Sequence, residues 1–252
     1  HEVVNGFFAE GRAVNADAVL SILPCGTSSD LARTLGLQRP RHALDAIARG
    51  HTIPCDVGRA RLTREDGAEA TEHFLNCAHV GMGGQVARRV TRTTKALGGF
   101  LAYLLASAAT LLTYRNKELR LEIDGRDCSG TYNDIILANG RYDGGGMLVA
   151  PHAELGSGQL EVYTIGDISH LDSFRNIHRL YDGTLDQRAD FVTHYSARTV
   201  RAESDETVLI NLEGEQPGRL PATLDVVQGA LRISAPPPEQ RNSAEVRNHG
   251  AR

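Results

Sequence analysis

The residues best equipped for chemistry lie in the run Leu23-Pro24-Cys25-Gly26-Thr27-Ser28-Ser29-Asp30-Leu31-Ala32-Arg33. The apolar stretch 18–23 ends at Pro24, which has no N–H to give to a sheet ladder and so closes a short strand. Gly26 lets the backbone turn, and Thr27, Ser28, Ser29 and Asp30 offer oxygens that can cap a helix over 29–35. The free N–H groups and positive dipole end of such a helix attract an anion, phosphate above all. Taken alone, the pattern reads first as an ordinary capped helix and only second as a phosphate site. A second candidate is Glu213-Gly214-Glu215, set between two strand-like runs. On its own it reads as a solvated turn between strands as readily as it does as a site. The third is Asn139-Gly140-Arg141-Tyr142-Asp143-Gly144-Gly145-Gly146-Met147, whose glycines permit a tight loop beside a cleft. Those glycines lack the strand, helix and downstream acid of a dinucleotide fingerprint, and there is no G-x-x-x-x-G-K-[ST] loop, so a P-loop kinase is excluded.

The elements that must position these residues change character near Gly50. Residues 1–50 read as helix 2–10, strand 18–23, helix 29–35 and helix 41–49, an α/β pattern. From 51 to 235, alternating strands recur at 53–62, 73–82, 119–139 and 160–167, the spacing of a β-sandwich. A hairpin is expected over 207–234, with its turn at Gln216-Pro217-Gly218-Arg219. Residues 236–252 are polar and Pro-led and read as a disordered tail. One stretch interrupts the strands: 86–95 is basic, with Arg88, Arg89, Arg92 and Lys95, and 98–114 carries no charge over seventeen residues. That run is short for a bilayer span and reads as a helix buried against the sandwich, or as the border of an acyl-chain pocket with the basic residues meeting anionic headgroups.

Composition narrows the function classes. A 252-residue chain that is 41% hydrophobic and 23% charged can bury a real core. A net charge of −4 provides no domain-wide positive field and argues against a nucleic-acid partner. Cys25, Cys55, Cys77 and Cys128 are widely spaced without a Cys-x-x-Cys or Cys/His pattern, which suits a reduced, cytoplasmic chain. His73, His79, His170, His178 and His194 show no metal-ligand spacing and read as satisfied core or surface histidines.

Read together, several of these segments resemble the bacterial diacylglycerol kinase and sphingosine kinase-like lipid kinase family. His1-Glu2-Val3 matches its Asn-Glu-Val with His1 in place of Asn, and Gly26, Thr27, Asp30, Ala32 and Arg33 match its Pro-x-Gly-Thr-x-Asn-Asp-x-Ala-Arg turn, with Ser29 in place of Asn. Residues 139–147 followed by Ala150-Pro151-His152-Ala153 resemble its triple-glycine signature, Phe74-Leu75-Asn76 with Gly81 and Gly84 its Phe-x-Asn segment, and Glu213-Gly214-Glu215 its Asp-Gly-Glu element. The family's Gly-Gly-Asp-Gly-Thr loop is expected upstream of His1, so the resemblance implies an N-terminally truncated α/β nucleotide-binding domain at 1–50, of the NAD kinase/diacylglycerol kinase type, followed by a β-sandwich at 51–235. By itself such a fragment is expected to be a poor catalyst.

The resemblance further implies an ATP-dependent lipid kinase that uses Mg²⁺ and transfers the γ-phosphate to the hydroxyl of diacylglycerol or a related lipid, peripheral at a membrane surface and without a transmembrane span. Glu213 falls at the catalytic base, one methylene longer than the family's Asp, and Glu2, Gly26 and Thr27 fall at nucleotide-contacting positions. Asp30, Asn139, Arg141 and Glu215 fall beside the substrate. The family's structural Mg²⁺ turn maps to Glu154, Ser157 and Gln159, with Ser157 in place of an Asp that a hard cation prefers. Two alternatives stand beside this reading: an NAD kinase-like enzyme, and a non-catalytic lipid-binding or regulatory pseudokinase suggested by the replacements Ser29, Ser157 and Glu213. The acceptor lipid and the oligomeric state, homodimer included, are left open.

Overall fold

The computed structural model describes residues 1–9, 11–15, 17–26, 28–92 and 99–237. The chain opens with helix α1 (Glu2–Asn5) and a two-stranded antiparallel ribbon, β1 (Phe8–Ala9) and β2 (Arg12–Ala13). The helix expected over 2–10 therefore stops early. Gly6 closes it, and Gly11 at φ +76° reverses the chain in a conformation that suits glycine. Strand β3 (Val19–Leu20) takes up only two of the six residues expected at 18–23. Helices α2 (Asp30–Thr34) and α3 (Pro40–Arg49) follow, α3 with proline at its start and Gly50 in the left-handed region at its end.

The remainder is strand-rich: β4 (Thr52–Thr63), β5 (Glu69–Phe74), β6 (Cys77–Gly81), then helices α4 (Met82–Arg92) and α5 (Gly99–Thr113). Next come β7 (Lys117–Ile123), β8 (Arg126–Asp127), β9 (Gly130–Tyr132), β10 (Asp134–Ala138), β11 (Leu160–Ile165), α6 (His170–Asn176), α7 (His178–Asp182), β12 (Val192–Ala197), β13 (Thr199–Glu203), β14 (Leu209–Leu212) and β15 (Glu215–Ser234). One sheet runs in the order β12-β11-β10-β6-β14-β15-β13-β7-β8, with β4 also on β15 and β5 on β4. The twenty-residue β15 is its spine, pairing β14 first, then β13 and β4, and finally β4 with β3 in parallel.

The sheet curls around a core of Phe74, Val80, Leu121, Ile135, Leu137, Val162, Ile210 and Leu224, which makes it a β-sandwich. In β7 the inward residues Leu119, Leu121 and Ile123 alternate with exposed or half-exposed ones, the period-two pattern legible in the sequence. Strands β6 and β10 are buried at every residue, so one face meets this core and the other is covered by the loop after β10 and its neighbours. A second core joins α1–α3 to the far ends of β4 and β15 through Val4, Leu35, Leu37, Cys55, Val57, Leu231 and Ile233. The N-terminal elements thus sit on the end of the long β4–β15 ribbon.

Two further expectations change. The hairpin turn is not at 216–219: Leu212 pairs with Glu215, so Glu213 and Gly214 form the two-residue loop, at φ +55° and +95°. Positive φ at both loop positions matches the twist of the flanking strands. Pro217 lies within β15 near a register shift, where its missing N–H is tolerated. Helix α5 is not buried all round, because Ala106 and Thr110 face inward while Leu105 and Leu112 are exposed. No helix among the described residues is long and apolar enough to cross a membrane. Of the tail expected from 236, residues 238–252 lie outside the described residues, as does Lys95.

Candidate active site

Glu213 is not a solvated turn residue. The tight turn places its backbone N–H against the Cys77 carbonyl at 3.1 Å and swings the side chain back over the end of β5. There Oε1 accepts from the backbone N–H groups of Leu75 and Asn76, both at 2.7 Å. The other oxygen, Oε2, lies 2.8 Å from the His1 amino nitrogen, and only 14% of the side chain is exposed. One carboxylate oxygen is therefore fixed by two amides while the other points toward the start of the chain. Glu215, by contrast, is exposed at the first residue of β15. The segment bearing His1 is clamped in place by Asn5, whose Oδ1 accepts from the His73 N–H at 2.8 Å and whose Nδ2 donates to the His73 carbonyl at 3.0 Å.

The glycine-rich loop and the Gly26 turn face each other. Gly144, Gly145 and Gly146 all have positive φ, and Asp143 and Met147 bridge across them. The Gly145 N–H donates to Asp30 Oδ2 at 2.7 Å, while Asp30 Oδ1 accepts from Arg33 at 2.9 Å. Asp30 thus spends its carboxylate across the cleft and not on capping its own helix. Ser29, in the left-handed region, makes no side-chain cap either; its hydroxyl donates to the Gly26 carbonyl. With five residues, α2 also lacks the length for a strong dipole, so the helix-end anion site expected from sequence is not what this segment builds. Gly26 itself is exposed, and a side chain there would meet only the Ser29 hydroxyl, at 3.8 Å. Thr27 lies outside the described residues. Glu2 is exposed on the first turn of α1.

Asn139 and Arg141 hold this loop from beneath. The buried Asn139 amide donates to the carbonyls of Asp56 and Leu75 at 2.9 and 2.7 Å, and Arg141 Nε donates to the Ala153 carbonyl at 3.0 Å. Asn76 Nδ2 donates to the Tyr142 carbonyl at 2.8 Å, tying the Glu213 anchor to the glycine loop.

A buried Asp–His–Asp chain lies under the same loop. His79 Nδ1 is 2.8 Å from Asp134 Oδ2, and its Nε2 is 3.0 Å from Asp143 Oδ2. Burial works against the charged imidazole, but the two carboxylates outweigh it and push the His79 pKa up to about 10. Burial would also raise Asp143; the imidazolium and the Gly144 N–H instead hold it below the usual carboxylate range. Asp30 moves the other way, raised by burial and by the nearby Asp143 charge against the pull of the Gly145 N–H. Sequence reading took His79 as an ordinary satisfied core histidine, and satisfied it is. What it missed is that His79, Asp134 and Asp143 connect α4, whose Gly83 N–H reaches Asp134 at 3.3 Å, to the glycine loop. The available signal was three polar residues inside otherwise apolar strands and a glycine loop.

The residues expected to hold Mg²⁺ do not form a fitting donor set. The Ser157 hydroxyl donates to the Gln159 carbonyl at 3.0 Å and accepts from its N–H, and Glu154 is the sole carboxylate of the three. The Gly158 N–H between them turns inward to buried Asp56, which also accepts from the Gly229 N–H at 2.7 Å. Among the described residues, no cluster of three His, Cys, Asp or Glu could hold a metal ion.

Comparison with known proteins matches residues 76–235 to the YegS C-terminal NAD kinase beta sandwich-like domain and residues 1–60 to the diacylglycerol kinase catalytic domain. The chain belongs to the diacylglycerol kinase-like lipid kinase family. It is 30% identical over 225 residues to a protein of Mycobacterium tuberculosis named "Diacylglycerol kinase", covering 87% of this chain and 70% of that one. It is 28% identical over 239 residues to a Chromohalobacter salexigens protein named "Probable lipid kinase YegS-like", covering 94% and 72%. The fold matches the crystal structure of a diacylglycerol kinase from Bacillus anthracis at a TM-score of 0.63 and 20% identity, over 94% of this chain and 72% of that one. Hydrogen bonds link the segments read from sequence: the Gly145 N–H to Asp30, and Asn76, beside the Glu213 anchor, to the Tyr142 carbonyl.

Proposed function

We propose that the protein is an ATP-dependent lipid kinase that phosphorylates the hydroxyl of diacylglycerol or a related lipid, with Glu213 as the base, between the 1–50 segment and the 51–235 sandwich. The observation that carries this reading is the split role of the Glu213 carboxylate: two backbone amides fix Oε1, and Oε2 faces the N-terminal segment. A base needs a rigid side chain, since a misplacement of about 1 Å can cost roughly a hundredfold in rate, and Oε2 becomes available for a proton once the substrate hydroxyl displaces the His1 nitrogen 2.8 Å away. The anchoring amides compensate for the extra methylene of Glu by drawing the carboxylate back over β5.

ATP, as phosphoryl donor, supplies the γ-phosphorus that the lipid oxygen attacks as ADP leaves. Glu213 Oε2 takes the hydroxyl proton. Gly26 leaves open backbone for the nucleotide, Glu2 and Thr27 are assigned to it by family resemblance, and the Asp30–Gly145 hydrogen bond fixes the glycine loop beside that turn. No step is assigned to Mg²⁺ at Glu154, Ser157 and Gln159. A position at a membrane surface is supported by apolar side chains left open on α5–α7: Leu105, Leu112, Leu171, Phe174, Ile177 and Tyr181. The test is phosphoryl transfer from ATP to diacylglycerol and to NAD by the full-length protein. Lipid phosphorylation supports the reading; transfer to NAD alone, or vesicle binding without turnover, replaces it with one of the two alternatives.

A further inference from the structure

A cavity of about 340 Å³ opens between α4, the end of α5, β7 and β14, lined by Gly81, Gln85, Thr207 and Leu209 and by a cationic wall. The wall consists of Arg88, Arg89, Arg115 and Lys117, with Thr113 and Tyr114 between them. Acidic neighbours offset one of these charges and leave Arg88 and Arg115 facing the cavity. Glu206 pairs with Lys117, and the Asp134 carboxylate is occupied by His79 and the Gly83 N–H. Arg89 is partly engaged, donating to the Thr113 hydroxyl at 2.7 Å.

Two polar groups here are buried without a hydrogen-bond partner among the described residues, Arg88 Nε and the Tyr114 hydroxyl. Leaving a buried donor unpaired costs roughly 1–3 kcal/mol, more for a charged group, so two orphans beside one cationic cavity need an explanation. Burial first, then the charges of Asp134 and Glu206, push the Tyr114 hydroxyl well above its ordinary pKa, so it stays a donor. Arginine and hydroxyl donors without a free carboxylate are the chemistry of a tetrahedral oxyanion site. The volume is at the small end of ligand sites, which run about 300–1,000 Å³, and suits a headgroup better than acyl chains.

We propose that this cavity binds a phosphate-bearing anion, a phosphomonoester or phosphodiester, through Arg88, Arg115 and the Tyr114 hydroxyl. It is a second site. Leu209 on its wall is four residues from Glu213, about 13 Å along an extended strand, too far for the phosphoryl group in transfer. The inference does not depend on the kinase reading, because it concerns binding and not turnover. One ligand chemistry has two sources here, free phosphate and the headgroup of an anionic lipid.

The experiment has one arm for each source, using the full-length protein at low ionic strength. Inorganic phosphate is titrated calorimetrically, and sedimentation is measured with phosphatidylcholine vesicles with and without phosphatidic acid. Arg115→Gln removes an exposed cation and leaves the fold intact; Arg88→Lys keeps the charge but removes Nε, so a loss there is not a net-charge effect. Each is expected to weaken binding by about tenfold, the scale of one charge-assisted hydrogen bond. Weakening in the phosphate arm identifies a free anion as ligand, and weakening in the vesicle arm alone identifies a lipid headgroup. Phosphate and vesicle binding that are absent, or unchanged in both variants, overturns the proposal. Circular dichroism and melting of each variant without ligand separate lost binding from lost folding, and if Arg88→Lys unfolds, Arg115→Gln carries the test.

Discussion

Replacing His79 by Gln should destabilise the fold by an amount that shrinks as pH rises. The imidazolium lies between Asp134 and Asp143 at 2.8 and 3.0 Å and has a folded pKa of about 10. In the unfolded chain an ordinary histidine titrates near 6.5. A raised folded pKa gives stability that is complete below the unfolded value and is lost as pH climbs through the folded one. At 1.36 kcal/mol per pKa unit, the contribution is about 4 kcal/mol at pH 7 and falls to about 1 kcal/mol at pH 9. The first figure agrees with the roughly 3–5 kcal/mol lost when one partner of a buried ion pair is deleted and the other is stranded. Urea unfolding of wild type and His79→Gln at pH 7, 8 and 9 measures this directly. Adding Asp143→Asn to His79→Gln should recover part of the loss, since it removes one of the stranded carboxylates. A difference between wild type and variant below about 1 kcal/mol at pH 7, or one that does not fall by pH 9, would refute the assignment of a buried imidazolium.

Other substitutions separate site from scaffold. Glu213→Gln retains an oxygen for the Leu75 and Asn76 amides but cannot take a proton, so turnover should fall by about 10²–10⁴ while the melting temperature moves little. Asp30→Ala removes the acceptor of the Gly145 N–H and should cost about 1–3 kcal/mol by denaturant unfolding, with a raised KM for ATP as the loop loosens. Gly84→Ala brings a Cβ to 2.4 Å from the Leu209 carbonyl, so α4 must move off β14, at a cost of about 1–3 kcal/mol in urea.

What was legible was local: period-two alternation in β7, and proline and glycine at the ends of α3. The family segments could be recognised one by one, but their convergence could not. Glu213 reads as a turn residue in any window of the chain, and only the return of β14 alongside β6 lays its carboxylate on the Leu75 and Asn76 amides. The turn itself was misplaced because Pro217 and Gly218 are stronger local turn signals than Glu213-Gly214, and pairing with β4 and β14 overrides them. The helix expected over 2–10 failed for a related reason, its periodicity outweighing Gly6 and Gly11 on paper but not in the chain. His79, Asp134 and Asp143 are separated by 55 and 9 residues, and their polar character among apolar neighbours marks each one without showing that they touch.

The most direct test of the central claim is transfer of labelled γ-phosphate from ATP to diacylglycerol in mixed micelles, comparing the full-length protein with its Glu213→Gln variant at matched folded concentration. The account predicts labelled phosphatidic acid from the wild type and a rate lower by about 10²–10⁴ from the variant. Equal rates from the two proteins would remove Glu213 from the chemistry, and no lipid product from the folded wild type would contradict the kinase assignment itself.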